Sequence, residues 1–213
     1  MWSAGDRSRF GALDSPTRPR QPQAMTKPPA DPLAETTLAS EEVFDGVLLK
    51  LRRDRVRLPD GNAAVRECIR HPGAVLILAQ RDDGRIVFVR QFRYPVGQSL
   101  LELPAGRIDP GETLLDCARR ELVEETGFQA RDWQRLGMIH PCVGYSDERI
   151  EIFLARGLVE VGPQPDPDEF LEILHLGVDE AEQAARDGRI TDAKTICALF
   201  LGLPYFRTFS LSG

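Results

Sequence analysis

The sequence predicts a mixed α/β (α+β) domain in which a mixed β-sheet is sandwiched between helices, with a small antiparallel sheet ahead of it. Three observations carry this. Strand-like runs are interleaved with helical stretches from Ala74 to Leu203. One helix, Thr113 to Gly127, is marked at both ends. Residues 43–70 alternate in short pieces around a Pro59-Asp60-Gly61-Asn62 turn.

Residues 1–38 are rich in Pro, Ser, Arg and Ala, with little apolar periodicity. Such a segment buries too little surface to offset its ordering entropy, so it is expected to be a disordered tail. It lacks the apolar run of a signal peptide, Asp6 and Asp14 argue against a transit peptide, and Met25 is a second candidate start. Residues 39–72 are expected to form the small antiparallel sheet, from Val43-Phe44, Gly46 to Leu51, Asp54 to Leu58 and Ala63 to Arg70. A sheet of that size needs a surface to lie on.

His71-Pro72-Gly73 marks a boundary, and residues 73–213 form the main domain. Ala74 to Gln80 reads as a buried strand, Asp82-Asp83-Gly84 as a hairpin turn and Ile86 to Phe92 as the return strand. Ser99 to Leu103 is a further strand that leads into Gly106. After the marked helix come strands at Trp133 to Ile139 and Arg149 to Ala155, enclosing the loop His140 to Glu148. A loop from Gly162 to Asp168 precedes a strand at Phe170 to Leu176. Two helices close the domain: Val178 to Arg186, and Ala193 to Leu203 capped by Thr191 or Asp192.

Acidic residues number 33 and basic ones 27, a net charge of -6. That balance argues against a nucleic-acid partner and for a small molecule. Cys68, Cys117, Cys142 and Cys197 are scattered, without a C-x-x-C, so reduced thiols are expected. The longest apolar run, Gly73 to Ala79, is too short to span a bilayer. A cytoplasmic protein with no membrane association is expected. His71, His140 and His175 each stand alone, and neither Ser99 nor Ser146 has a nucleophile-elbow setting, which disfavours covalent catalysis.

The chemistry concentrates on the marked helix. Leu114, Leu115, Ala118 and Leu122 make an apolar stripe, and Glu121, Glu124 and Glu125 sit beside it at i, i+3 and i+4. The alternative is an acidic, solvated face. It fits poorly, because the like charges repel, lie at a core margin and oppose the dipole of the helix's C-terminal half. Oxygen-only ligands in such a cluster suit Mg2+ or Mn2+ better than zinc.

The stretch GRIDPGETLLDCARRELVEETGF resembles the Nudix box. Gly106, Glu112, Arg120, Glu121, Leu122, Glu124, Glu125, Gly127 and Phe128 fill its fixed places. Three shorter stretches, Val89 to Pro95, Leu101 to Gly106 and Asp192 to Thr195, are similar to the ADP-ribose and ADP-sugar pyrophosphatases of that superfamily. The similarity spans roughly residues 43–205.

The resemblance implies a Nudix fold and the following roles. Glu121, Glu124 and Glu125, with the main-chain carbonyl of Ala105, match metal ligands for Mg2+, or Mn2+, with about two or three ions per active site. Glu112 and Arg120 match places that hold the ligands in position. Arg93 matches a substrate contact, for which the plain alternative is a surface arginine at a strand end. Glu102 and Glu148 are further substrate-binding candidates. The general base matches Glu169, with Asp168 and then Glu148 as alternatives. The subgroup commonly has a proline sixteen residues after the last box glycine, a place held here by Val143, which leaves the preferred sugar open. The implied reaction is hydrolysis of ADP-ribose to AMP and ribose 5-phosphate. GDP-mannose or ADP-glucose as substrate, or a ligand-sensing regulator without turnover, are the alternatives. The early sheet implies a homodimer.

Overall fold

The computed structural model describes residues 31–162 and 170–207, the side chain of Arg207 excepted. All the strands and helices among the described residues lie in the unit that begins at Glu35.

Strands β1 (Thr36–Asp45), β2 (Lys50–Arg57) and β3 (Ala63–Arg70) form an antiparallel sheet in the order β1-β2-β3. β1 begins at Thr36, inside the stretch expected to be the tail, and β2 is one strand where the sequence suggests two. The cause is burial. β1, TTLASEEVFD, is exposed along its whole length, so no in-out alternation marks it. The backbone groups on its inner edge are held by pairing with β2. Surface ion pairs such as Arg53 with Glu67 (2.9 Å) add little each.

Beyond Pro72 the chain forms two further sheets. Strands β4 (Ala74–Ala79), β7 (Ala105–Arg107), β8 (Phe128–Ile139) and β9 (Ile150–Glu160) make a mixed sheet in the order β7-β4-β9-β8, with β4 and β9 parallel. Strands β5 (Ile86–Arg93), β6 (Gln98–Glu102) and β10 (Leu171–Leu176) make an antiparallel one in the order β10-β5-β6. β8 and β9 extend beyond their expected ends because each supplies the other's hydrogen bonds out to the Phe128 and Glu160 pairing.

Helix α1 (Leu114–Thr126) covers one face of the mixed sheet, and α2 (Val178–Arg186) with α3 (Ala193–Arg207) covers the other. β4 shows how. Its six residues are all buried, and successive side chains point to opposite faces. Val75, Ile77 and Ala79 join Ala118 and Leu122 of α1, while Leu76 and Leu78 join Ala198, Leu199 and Phe206 of α3. The sheet is therefore sandwiched between helices, as the sequence predicts. α3 continues past Leu203 to Arg207 with Pro204 inside it, and Phe206 is buried in the core. Asp192 caps α3: its Oδ2 accepts the Thr195 N–H at 3.1 Å.

The linker into β4 is tied to the loop before β9. Ile69 N–H donates to the Tyr145 carbonyl (2.7 Å), Arg70 pairs with Asp147 (2.8 Å) and His71 N–H donates to Asp147 Oδ1 (2.8 Å). These bonds fix His71 and Glu148 near each other, with Nδ1 to Oε1 at 3.8 Å.

Candidate active site

α1 positions the site, and its ends are those expected. Thr113 Oγ1 accepts the Asp116 N–H at 3.2 Å, and Gly127 adopts φ 71°, with its N–H on the Val123 carbonyl at 2.8 Å. Docking of Cys117, Ala118 and Leu122 on the sheet carries Glu121 and Glu125 to the core margin, where both are buried. Burial pushes the Cys117 thiol up to about 12, so it takes no part as a nucleophile near neutral pH.

One guanidinium holds the carboxylates together. Arg120 makes a fork with Glu112 (Nε to Oε1 2.9 Å, Nη2 to Oε2 3.0 Å). Its Nη1 donates to Glu121 Oε1 at 2.7 Å and to Glu124 Oε2 at 2.9 Å, and Nη2 reaches the Arg107 carbonyl at 3.0 Å. The bonds from Arg120 pull the Glu112 carboxyl down to about 2, and bonding to Glu112 first, then the other carboxylates, raises Arg120 itself. Glu125 is anchored separately: its Oε2 accepts the Ala105 N–H at 3.0 Å, joining the helix to β7.

Gly106 makes the close approach possible. A Cβ at that position would lie 1.8 Å from the Glu121 carboxyl group, so only glycine lets this carboxylate rest against the strand.

The donor set fits a hard divalent cation, since every side-chain donor in it is a carboxylate oxygen. Among the described residues no three carboxylate, imidazole or thiol groups converge on one metal-sized point; Arg120 lies between the carboxylates.

A cavity of about 490 Å³ opens beside the cluster. Glu121, Glu124, Gly106 and Ala105 line one part of it, and Arg93, Lys194, His71 and Glu148 line others. Of the candidate residues, Ala105, Arg120, Glu121, Glu124, Arg93 and Glu148 thus meet at one cavity. Glu125 lies behind Ala105. Glu102 stands behind the wall rather than on it: it is 1% exposed and forks with Arg93 (2.7 and 2.7 Å). Glu169 and Asp168 lie outside the described residues. Val143 is exposed in its loop.

Sequence reasoning assigns no role to Leu48, His71, Arg107 or Lys194, all of which line the cavity. Lys194 falls within one of the stretches similar to the ADP-sugar pyrophosphatases, but its approach to the box depends on α3 crossing the sheet. Leu48 and His71 come from outside the main strands, and no local pattern marks them.

A family model for the NUDIX domain matches residues 70–199, and one for the nucleoside diphosphate sugar hydrolase N-terminal domain matches residues 35–69. The chain belongs to the Nudix family of hydrolases, whose members generally use divalent metals. It is 38% identical over 169 residues to an ADP-ribose pyrophosphatase of Bacillus subtilis, covering 78% of this chain and 91% of the relative. It is 40% identical over 167 residues to a methanol dehydrogenase activator of Bacillus methanolicus, covering 78% and 90%. The fold is also that of a solved ADP compounds hydrolase, with a TM-score of 0.73 at 24% identity, covering 82% of this chain and 95% of that one.

Proposed function

We propose that this chain hydrolyses the diphosphate bond of ADP-ribose to AMP and ribose 5-phosphate in a Mg2+-dependent reaction. The observation that carries the reading is the single cavity onto which both the carboxylate cluster and Arg93 open. A relative named ADP-ribose pyrophosphatase that aligns along most of its length supports the choice of substrate.

A diphosphate is doubly charged and repels an anionic nucleophile. Arg93 presents a guanidinium to it from a fork with Glu102 that fixes its orientation. Glu121, Glu124 and Glu125, with the Ala105 carbonyl, are the residues that would hold divalent cations. Bound there, such cations lower the pKa of a water and neutralise phosphate oxygens. Arg120 orients Glu121 and Glu124 by direct hydrogen bonds. Glu169 is the proposed base that accepts the proton of the attacking water, with Asp168 and Glu148 as alternatives; Glu148 lines the cavity.

The reading includes a homodimer built on the β1-β2-β3 sheet and a cytoplasmic setting. The exposed apolar side chains of Leu38, Val43, Phe44, Val47 and Leu49 support the first. No helix among the described residues is long and apolar enough to cross a membrane. Light scattering after size exclusion tests the dimer, and a monomeric mass overturns it.

Activity is tested by product analysis with Mg2+ and a panel of ADP-ribose, ADP-glucose and GDP-mannose. AMP release from ADP-ribose is expected to be fastest. Faster turnover of GDP-mannose overturns the substrate, and binding without turnover of any of them overturns the catalytic reading in favour of a sensor.

A further inference from the structure

A second cavity, of about 430 Å³, opens between α1 and β8, the edge strand of the mixed sheet. Its size falls in the range of small-molecule sites, roughly 300–1,000 Å³. Arg119, Arg120, Val123 and Glu124 line it from the helix, Gln129 and Trp133 from the strand. Arg120 and Glu124 also line the cavity beside the carboxylate cluster, so the two cavities share a wall.

The two neighbouring arginines differ in what they have left to give. A guanidinium carries five N–H donors. Arg120 spends all of its own on Glu112, Glu121, Glu124 and the Arg107 carbonyl. Arg119 makes one long contact, 3.4 Å to Asp116 Oδ1 between two exposed side chains, and its other donors have no partner among the described residues. Trp133 is half-buried: its Nε1–H donates to the Ala130 carbonyl at 3.1 Å, and its ring meets Phe153 edge-on at 6.3 Å between centroids. With its one polar atom committed, Trp133 offers the cavity apolar ring surface. Gln129 adds an exposed carboxamide with no partner among the described residues. Packing on the core accounts for the Phe153 contact, but it gives no use to a ring and an uncommitted guanidinium on one cavity wall. An aromatic platform, a carboxamide and a free guanidinium fork together suit a flat heteroaromatic base that carries a phosphate.

We propose that the α1–β8 cavity binds a nucleoside monophosphate, its base stacked on Trp133 and its phosphate on Arg119, and that occupancy slows catalysis through the shared wall. A phosphate beside Arg119 is a like charge to Glu124 and loosens the hold of Arg120 on that carboxylate. The slowing rests on the hydrolytic reading of the first cavity, whereas the binding does not.

The chain has two tryptophans, so Trp2→Phe in every protein leaves Trp133 as the one fluorophore. The probes are AMP, adenosine and ribose 5-phosphate, followed by Trp133 emission. AMP is expected to quench it saturably, and each half alone far more weakly. Losing the charge-assisted bonds of Arg119 should weaken AMP binding about 10- to 100-fold in Arg119→Ala, while Arg93→Ala, which alters the other cavity, should leave the titration in place. An AMP titration of Arg119→Ala that matches the parent overturns the proposal and leaves Trp133 as a core residue. A signal that depends on Arg93 instead of Arg119 overturns it too, since AMP is then in the first cavity. In turnover assays AMP should lower kcat with KM little changed, and Arg119→Ala should remove that component; purely competitive inhibition would overturn the link between the cavities. If no nucleoside diphosphate sugar is turned over, the hydrolytic reading fails, and the fluorescence titration still decides the binding site.

Discussion

The two ends of the cavity are built from the same ingredients but turn different ones toward it: carboxylates at one end, cations at the other. On the α1 side, Arg120 bonds Glu112, Glu121 and Glu124, and the Glu121 and Glu124 carboxylates line the cavity. On the α3 side, Arg93 and Lys194 are matched by the buried Glu102 and by Asp192, and the cations are the groups that line the cavity. An ion pair in isolation is poor evidence of function. An acidic wall and a basic wall facing one cavity are better evidence, because a ligand that carries both cation and phosphate meets both.

The largest test of this asymmetry is to remove a carboxylate from the α1 end. Glu124→Gln is expected to lower kcat on the order of 1,000-fold, the loss of several kcal/mol of charge stabilisation. Its melting temperature should stay close to that of wild type, as Glu124 is not in the core; turnover within tenfold of wild type would remove Glu124 from the catalytic set. Gly106→Ala should follow, at roughly 100-fold, since misplacing a reacting group by about 1 Å costs that much. The backbone there does not need positive φ, so the expected loss comes from the displaced Glu121 carboxylate and not from strain. Retained activity with a normal fold would show that the carboxylate can move without consequence.

Arg120→Lys should cost about tenfold or somewhat more, because an ammonium keeps the charge but loses the fork to Glu112. The smallest effect is on acid stability. The Glu112 carboxyl titrates at about 2 in the folded protein instead of the ordinary 4.5. A depressed folded pKa gives stability that is complete above 4.5 and is lost as pH falls toward 2. Glu112→Gln should therefore flatten the acid limb of a melting-temperature profile in that window, and an unchanged slope would show that the Arg120 network does not depend on the Glu112 charge.

Legibility in the sequence follows how local each cause is. α1 is readable to the residue, since Thr113, Gly127 and the apolar stripe act within one helix. β4 and the hairpin at Asp83-Gly84 are equally plain, being a buried run and a turn. β1 reads short, because a strand with no buried face has no period to detect. β8 and β9 read short because their outer halves depend on one another.

The amino-acid sequence by itself determined the anionic end of the site: a capped helix spaces Glu121, Glu124 and Glu125, and the helical period places them on one edge without help from the rest of the chain. At the cationic end the sequence resemblance names Arg93 and Glu102, and tertiary structure alone joins Lys194 to them. Arg93 on β5, Glu102 on β6 and Lys194 on α3 are brought together by sheet pairing and by a helix packed over the opposite face, with Glu102 and Lys194 92 positions apart in the chain. A helix has a fixed short-range geometry that composition and spacing reveal, whereas a contact across that much chain exists only once the sheet has closed and its core has chosen which faces meet.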